Sequence, residues 1–388
     1  MKKQPRVPES TNATGWIYRH CRQGKQMDDF FDNGGWKPQN ARPVWFPRFR
    51  MPPRHFLDIA DLSPDELVGV LDTADKIRTR VDGNVQLRRR VLRDQAIAFL
   101  TSKQSLRTGG AIAQAATRLG GKAETFSGNS MVDETGKTRE PLTHMTECLQ
   151  AQAYPVVFAR LHKHEDIVQM SKVAGKTSVV NALTDQSHPL QALADIATLR
   201  RAKPGVQRPK VVFMADGNNV ATSLGEASAM LGWDFVHSGP QERRIRNDRW
   251  EGMQHMASDS GATVTYEENP DAAVEGADMV YADVFASMGE KGKAAELKAL
   301  LSRYKVTAKL MERAGPQALF GHCLPAEEAE VEPEVLHGPN SIVFPIAGAR
   351  MDTTAAIIQL LLHDREVYSG NRLVRGAQRT YRSMVKNG

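Results

Sequence analysis

The stretch from Phe99 to Leu119, FLTSKQSLRTGGAIAQAATRL, constrains the fold most, because it runs a short apolar strand directly into a turn and a helix. Residues 96–100 supply the strand, and Ile112, Ala115, Ala116 and Leu119 recur at helical spacing beyond the turn. Between them stand Ser105, Leu106, Arg107 and Thr108, then Gly109 and Gly110. Such a turn gathers free backbone N–H groups, the positive end of a helix dipole and a guanidinium around one point, which suits a phosphate. Taken alone, the same residues also fit an ordinary helix cap beside an exposed arginine.

The rest of the chain repeats the alternation. Ser63-Pro64-Asp65-Glu66 has the form of a capping box with proline at the first helical position, and Leu67, Val70, Leu71 and Ala74 mark the buried face of a helix to about Arg78. Strands are expected at 123–126, 156–159 and 179–181, with helices at 141–150, 165–174 and 189–200. Lys203-Pro204-Gly205 marks a domain boundary. A second series follows: strand 210–215, helix 220–231, strand 235–237, helix 249–260, then strands 263–266 and 279–282. It ends with the segment 319–325, a strand at 341–344 and an amphipathic helix over 351–363. Strands alternating with helices predict parallel sheets.

At 388 residues, two domains are expected, and 41% hydrophobic with 25% charged residues is an ordinary globular balance. No apolar run reaches the length of a membrane span, and the first residues lack the apolar segment of a secretory signal, so an intracellular chain is expected. Cys21, Cys148 and Cys323 are odd in number and without metal-ligand spacing, which argues against a disulfide scaffold and a zinc site. The net charge of +6 is not spread evenly. Residues 1–54 carry 11 Lys or Arg against 4 Asp or Glu, so the remainder is close to neutral and a nucleic-acid partner is not expected. That basic segment also holds Trp16, Trp36 and Trp45, and it reads as an irregular arm packed on the body or a neighbouring subunit. An arginine-rich targeting peptide is the other reading.

Several polar clusters fall beyond predicted strand ends, where open α/β sheets place ligands. His188 and Gln191, three apart at a helix start, can offer an imidazole and an amide to one carbonyl oxygen, although a histidine there can equally serve as a cap. Asp216-Gly217-Asn218-Asn219 lacks the spacing of a dinucleotide loop and instead suits a carboxylate. Asp283, followed by Ser287-Met288-Gly289, suits an ammonium group, and Cys323 follows Phe320-Gly321-His322 at a strand end.

Together and in this order these segments resemble the aspartate/ornithine carbamoyltransferase superfamily, most closely the ornithine carbamoyltransferases, over about residues 55–365. Ser105-Leu106-Arg107-Thr108 is similar to that family's Ser-Thr-Arg-Thr turn, His188-Pro189-Leu190-Gln191 to its His-Pro-x-Gln, and Arg160 to its second phosphate-side arginine. Asp216 to Asn219, Asp283 with Ser287-Met288-Gly289, His322-Cys323-Leu324-Pro325, and Arg350 opening the final helix follow the ornithine-type pattern. The resemblance implies an α/β fold of two doubly wound parallel-sheet domains joined by helices. The chain would then divide into the arm (1–54), a carbamoyl-phosphate domain (55–203, with helix 351–364 returning to it), an amino-acid domain (204–350) and a tail (365–388).

The resemblance further implies that carbamoyl phosphate is bound by Ser105, Leu106, Arg107, Thr108, Arg160, His188, Gln191, Cys323, Leu324 and Arg350. An amino-acid acceptor would be held by Asn219, Asp283, Ser287 and Met288, and Arg107, His188, Asp283 and Cys323 would be catalytic. The implied reaction carbamoylates the side-chain amine of L-ornithine to L-citrulline, in a cytoplasmic homotrimer with shared sites, with no cofactor, metal or membrane. The chain departs from the pattern at Leu106, Gly109, the polar loop 128–140 with Lys137 and Arg139, Thr143-His144, Glu327-Glu328-Ala329 and Ala347-Gly348-Ala349. A different amine acceptor, or a non-catalytic binding protein of the same family, are the alternatives these changes leave open.

Overall fold

The computed structural model describes residues 54–82, 91–102, 105–127, 139–286 and 290–368. Expectations for the N-terminal arm, Lys137, Ser287, Met288 and the end of the tail lie outside the described residues. The first half comprises α1 (Pro64–Asp82), β1 (Ala96–Thr101), α2 (Leu106–Arg118), β2 (Lys122–Ser127), α3 (Leu142–Ala151), β3 (Val156–Arg160), α4 (His164–Val173), β4 (Ser178–Leu183) and α5 (Pro189–Ala202). The second comprises β5 (Lys210–Met214), α6 (Asn219–Met230), β6 (Asp234–Ser238), α7 (Asn247–Ser260), β7 (Val264–Tyr266), α8 (Pro270–Ala273) and β8 (Met279–Ala282). It continues through α9 (Ala294–Leu301), α10 (Ala308–Ala314), β9 (Leu319–His322), α11 (Pro333–Leu336) and α12 (Val343–Tyr368).

The strands form two parallel sheets, ordered β2-β1-β3-β4 and β7-β6-β5-β8-β9. Central strands such as Val156–Arg160 and Met279–Ala282 are almost wholly buried, which is why they read as continuous apolar runs without alternation. The capping box at α1 forms as expected: the Ser63 N–H donates to Glu66 Oε2 at 2.8 Å, and the Glu66 N–H donates to Ser63 Oγ at 3.3 Å. Arg249 on α7 reaches Asp58 at 2.7 Å and Glu226 on α6 at 2.9 Å, linking the start of the ordered chain to the second sheet's helices. Burial alone would raise the Asp58 pKa, but hydrogen bonds from His164 and Arg249 bring it down to about 2.

Three expectations fail at the C-terminal end. Residues 341–344 are not a strand: Ser341 forms only an isolated bridge with Phe320, and Val343 already opens α12. Its Ile342, Val343 and Phe344 look like strand formers, but Pro345 in the first helical turn has no N–H to satisfy, and the helix begins with the Ile346 N–H donating to Ile342 O at 2.9 Å. Arg350 therefore lies about two turns inside the helix instead of opening it. Nor is α12 amphipathic, for Ala355, Ala356, Ile357, Ile358 and Leu361 are all buried, and the helix packs against α1, α2 and α5. Between β8 and β9 the structure also has α9 and α10, where the sequence reading names no element.

Because Ile358 is fully buried at the centre of this packing, Ile358→Ala is expected to cost about 2–5 kcal/mol, read as a loss of stability in denaturant unfolding. A cost below about 0.5 kcal/mol would show that α12 is peripheral to the core.

Candidate active site

Each sheet has one point at which strand order reverses, between β1 and β3 in the first and between β5 and β8 in the second. Loops leaving the two central strands there diverge and open a crevice at their carboxyl ends. At the first reversal, β1 leads to Ser105 and α2, while β3 ends on Arg160, in register with Thr101. Ser105 occupies the N-cap of α2 but makes no side-chain cap bond. Its Oγ instead accepts from Arg160 Nη1 at 3.1 Å, and the same nitrogen lies 3.4 Å from Thr108 Oγ1. Ser105 is thus not a simple side-chain cap, and Arg107 beside it is only partly exposed.

Arg350 arrives from α12, donating from Nη1 to Thr108 Oγ1 and from Nη2 to the Cys323 carbonyl, both at 3.3 Å. Arg107, Arg160 and Arg350 form no ion pair with a carboxylate among the described residues, and each keeps a buried Nε without a hydrogen-bond partner. Burial, and then the neighbouring Arg350, lowers the pKa of both Arg107 and Arg160. Three like charges assembled with no carboxylate bonded to them make a site for a multivalent anion. Leu106, which follows the N-cap, is 89% exposed.

His188 caps α5 and is 3% exposed, with its Nδ1 unpartnered. Burial, followed by Arg350, Arg160 and Arg107, pushes its pKa well below the usual imidazole range, so it is neutral at neutral pH and can offer only one N–H. Gln191 does not join it as a second donor. Its Nε2 donates to Asp195 Oδ1 at 2.7 Å and Tyr281 OH at 3.1 Å, leaving Oε1 buried and without a partner, so the amide presents an acceptor.

At the second reversal, Asn218 caps α6 through its Oδ1 and donates from Nδ2 to Asp283 Oδ2 at 2.8 Å. Asn219 donates to the Thr184 carbonyl in the loop after β4, tying the two crevices together. Gly217 is required here, since a Cβ would stand 2.2 Å from the Ile245 backbone nitrogen. The Cys323 thiol donates to Asp283 Oδ1 at 2.7 Å. Burial and then the Asp283 charge push its pKa well above the ordinary thiol value, so at neutral pH it is a donor and not the base that would take a proton from an amine.

Asp283, His322 and Cys323 offer ligand atoms within 4.8 Å of one another, but each is already engaged. His322 Nδ1 accepts the Leu324 N–H at 2.8 Å, and its Nε2 faces Glu330 at 3.4 Å, while the thiol is held by Asp283. The structure therefore brings Ser105, Arg107, Thr108, Arg160, His188, Gln191 and Arg350 to one crevice and Asn219, Asp283 and Cys323 to the other. Sequence reasoning missed Asp195, Tyr281 and the clamp in which Arg243 holds Asp216 at 2.8 and 2.9 Å and Glu290 at 3.0 Å. Asp195 carried a signal, being an acid inside the apolar run Leu190 to Leu199, four residues after Gln191.

The Cys323 environment has a direct readout. At neutral pH, Cys323 is expected to be alkylated by iodoacetamide at least about tenfold more slowly than exposed Cys148, and Asp283→Asn should speed it. Peptide-resolved mass spectrometry gives both rates, and equal reactivity of the two thiols would refute the protonated, carboxylate-held thiol.

Comparison with known proteins finds matches to both halves of the chain. The family "Aspartate/ornithine carbamoyltransferase, carbamoyl-P binding domain" matches residues 54–201, and "Aspartate/ornithine carbamoyltransferase, Asp/Orn binding domain" matches residues 207–361. The chain is 39% identical over 311 residues to an ornithine carbamoyltransferase of Hyperthermus butylicus, covering 80% of this chain and 97% of that one. It is 34% identical to a mitochondrial ornithine carbamoyltransferase of Schizosaccharomyces pombe, covering 82% and 97%. Among solved structures, the ornithine carbamoyltransferase of Pyrococcus furiosus matches with a TM-score of 0.75 and 31% identity, over 80% of this chain and 98% of that one. With both domain descriptions covering their halves and both sheets in the same architecture, the chain belongs to the aspartate/ornithine carbamoyltransferase family.

Proposed function

We propose that this protein transfers the carbamoyl group of carbamoyl phosphate to the side-chain amine of L-ornithine, giving L-citrulline and phosphate. The observation that carries the reading is the cluster of Arg107, Arg160 and Arg350, unpaired with any described carboxylate and set beside a buried neutral imidazole. Such a cluster fits a phosphate dianion, with Ser105 and Thr108 hydroxyls completing its bonds. The acceptor follows from the similarity to ornithine carbamoyltransferases and from the polar groups around Asp283 and Cys323.

In this reading the carbonyl oxygen faces Arg107 and His188, the carbamoyl NH₂ faces Gln191 Oε1, and the attacking amine lies at Asp283 and Cys323. The amine nitrogen forms a bond to the carbonyl carbon, the oxygen gains charge, and the carbon–oxygen bond to phosphate then breaks. The leaving phosphate keeps that electron pair and accepts the proton that the nitrogen loses. An alkylamine has a pKa near 10.4, so only about one molecule in a thousand is reactive at neutral pH. Because Cys323 is a donor in this structure, the site must select the neutral amine.

The finer parts of the reading are a cytoplasmic location, a place in arginine biosynthesis and a homotrimer with shared sites. No helix among the described residues is long and apolar enough to cross a membrane. The absence of a side chain at Gly109, beside a phosphate site rich in arginine, supports a cation supplied by a neighbouring subunit, for which Arg139 and Lys137 of the 128–140 loop are the candidates. A cyclic head-to-tail trimer permits such sharing, whereas a two-fold dimer pairs identical patches.

Arg107→Ala is expected to abolish turnover without lowering the thermal melt, since it removes a donor whose loss costs about 3 kcal/mol or more of barrier. Ureido product measured with carbamoyl phosphate and a panel of amines tests the acceptor, and turnover of Arg107→Ala above about a tenth of the parental rate would contradict the assignment. For the assembly, sedimentation is expected at three times the mass of one chain. Inactive Arg107→Ala subunits mixed with inactive Lys137→Ala/Arg139→Ala subunits should regain activity; a monomer, or no recovery on mixing, would refute the shared site.

A further inference from the structure

We propose that Asp195 and Tyr281 are positioning residues that lock the Gln191 amide with its oxygen toward the substrate, and so make the site choose a carbamoyl group over an acyl group of the same shape without an N–H. The inference rests on carbamoyl phosphate being the donor substrate.

A primary amide has two N–H donors and one oxygen. In Gln191 one donor goes to Asp195 Oδ1 at 2.7 Å and the other to the Tyr281 hydroxyl at 3.1 Å. Tyr281 closes the triangle by donating to the same Asp195 oxygen at 3.1 Å. Turning the amide over would set its oxygen against Asp195 Oδ1, which already accepts from Tyr281, and would take the Gln191 N–H away from that acceptor. All three side chains are fully buried, so no bulk water is at hand to relieve that loss.

The triangle is itself rigidly built. Tyr281 stacks on Phe213 with ring centroids 5.5 Å apart, and its ring lies where a Cβ on Gly321 would be, at 2.6 Å. Burial raises the Asp195 pKa to about 8, and in either protonation state one oxygen remains an acceptor for Gln191. Tyr281 stands two residues before Asp283, and its hydroxyl meets α5 through Asp195 and Gln191, so the triangle also ties the second sheet to the helix that carries His188.

The consequence is chemical. Gln191 Oε1 is buried without a partner and can only accept. In carbamoyl phosphate the NH₂ is the group outside the phosphate that donates. In acetyl phosphate a methyl occupies that place, and the oxygen would stay unpaired in a dry site, a mismatch that discriminates strongly between otherwise isosteric ligands.

The test uses two stable analogues, phosphonoacetamide and acetonylphosphonate, which differ as NH₂ against CH₃. Calorimetric titration of the full-length parent is expected to show preference for phosphonoacetamide, and Asp195→Leu to reduce that preference about tenfold with inorganic phosphate binding unchanged. Asp195→Asn, which keeps an acceptor oxygen, should retain the preference within about threefold. A folded Asp195→Leu with the parental preference, or equal losses in Leu and Asn variants, would overturn the proposal. If Asp195→Leu does not fold, Tyr281→Phe decides, since it removes one hydroxyl at constant ring volume and should weaken the same preference; an unchanged preference there is equally fatal. A parent that binds neither analogue and turns over no carbamoyl phosphate would instead refute the donor-substrate reading.

Discussion

Arg350 is the joint on which the site depends. It sits inside α12, buried, yet its two terminal nitrogens reach Thr108 on α2 and the Cys323 carbonyl beyond β9, so one guanidinium spans parts of both halves of the chain. A buried charge held by neutral oxygens alone is costly, and two further arginines stand close enough to repel it. What offsets the cost is the apolar burial of the helix that carries it, with Ala349, Ala355, Ala356, Ile357, Ile358 and Leu361 in one continuous core. The core thus holds an electrostatically unfavourable arrangement in readiness for an anion.

The second half of the site obeys the opposite rule, since its acids are tied down. Asp283 receives Asn218 and the Cys323 thiol, Asp216 receives Arg243, and Glu330 accepts the backbone N–H groups of Phe285 at 3.2 Å and Glu327 at 2.8 Å. Asp216 is buried at this turn, and that burial pushes its pKa up to about 6 despite the Arg243 pair. The loops after β5, β8 and β9 are therefore braced by polar contacts where the strands beneath are braced by packing. Cationic and acidic halves meet at one line, marked by the Asn219 bond to Thr184 and by the Gln191–Asp195–Tyr281 triangle.

The parallel alternation, the anion turn after β1, and the polar clusters at strand ends could all be read along the chain, because each is a local pattern of apolar spacing followed by small or polar residues. Segment 341–344 could not be read, since its β-branched and aromatic residues favour a strand until Pro345 and the packing of α12 on three other helices decide otherwise. The same packing placed Arg350 inside a helix instead of at its start.

By itself, then, the amino-acid sequence determined which groups the site contains, for a hydroxyl, an arginine or an imidazole at a strand end is a fact of order along the chain. Only the tertiary structure decided what each group can do. Gln191 became an acceptor because Asp195, one helical turn on, and Tyr281, far away in sequence, took both its hydrogens. Cys323 became a protonated donor because burial and Asp283 raised its pKa, and His188 stayed neutral because burial and three arginines lowered its own. Proton affinity and hydrogen-bond direction depend on neighbours and solvent in three dimensions, and no spacing along a chain carries them.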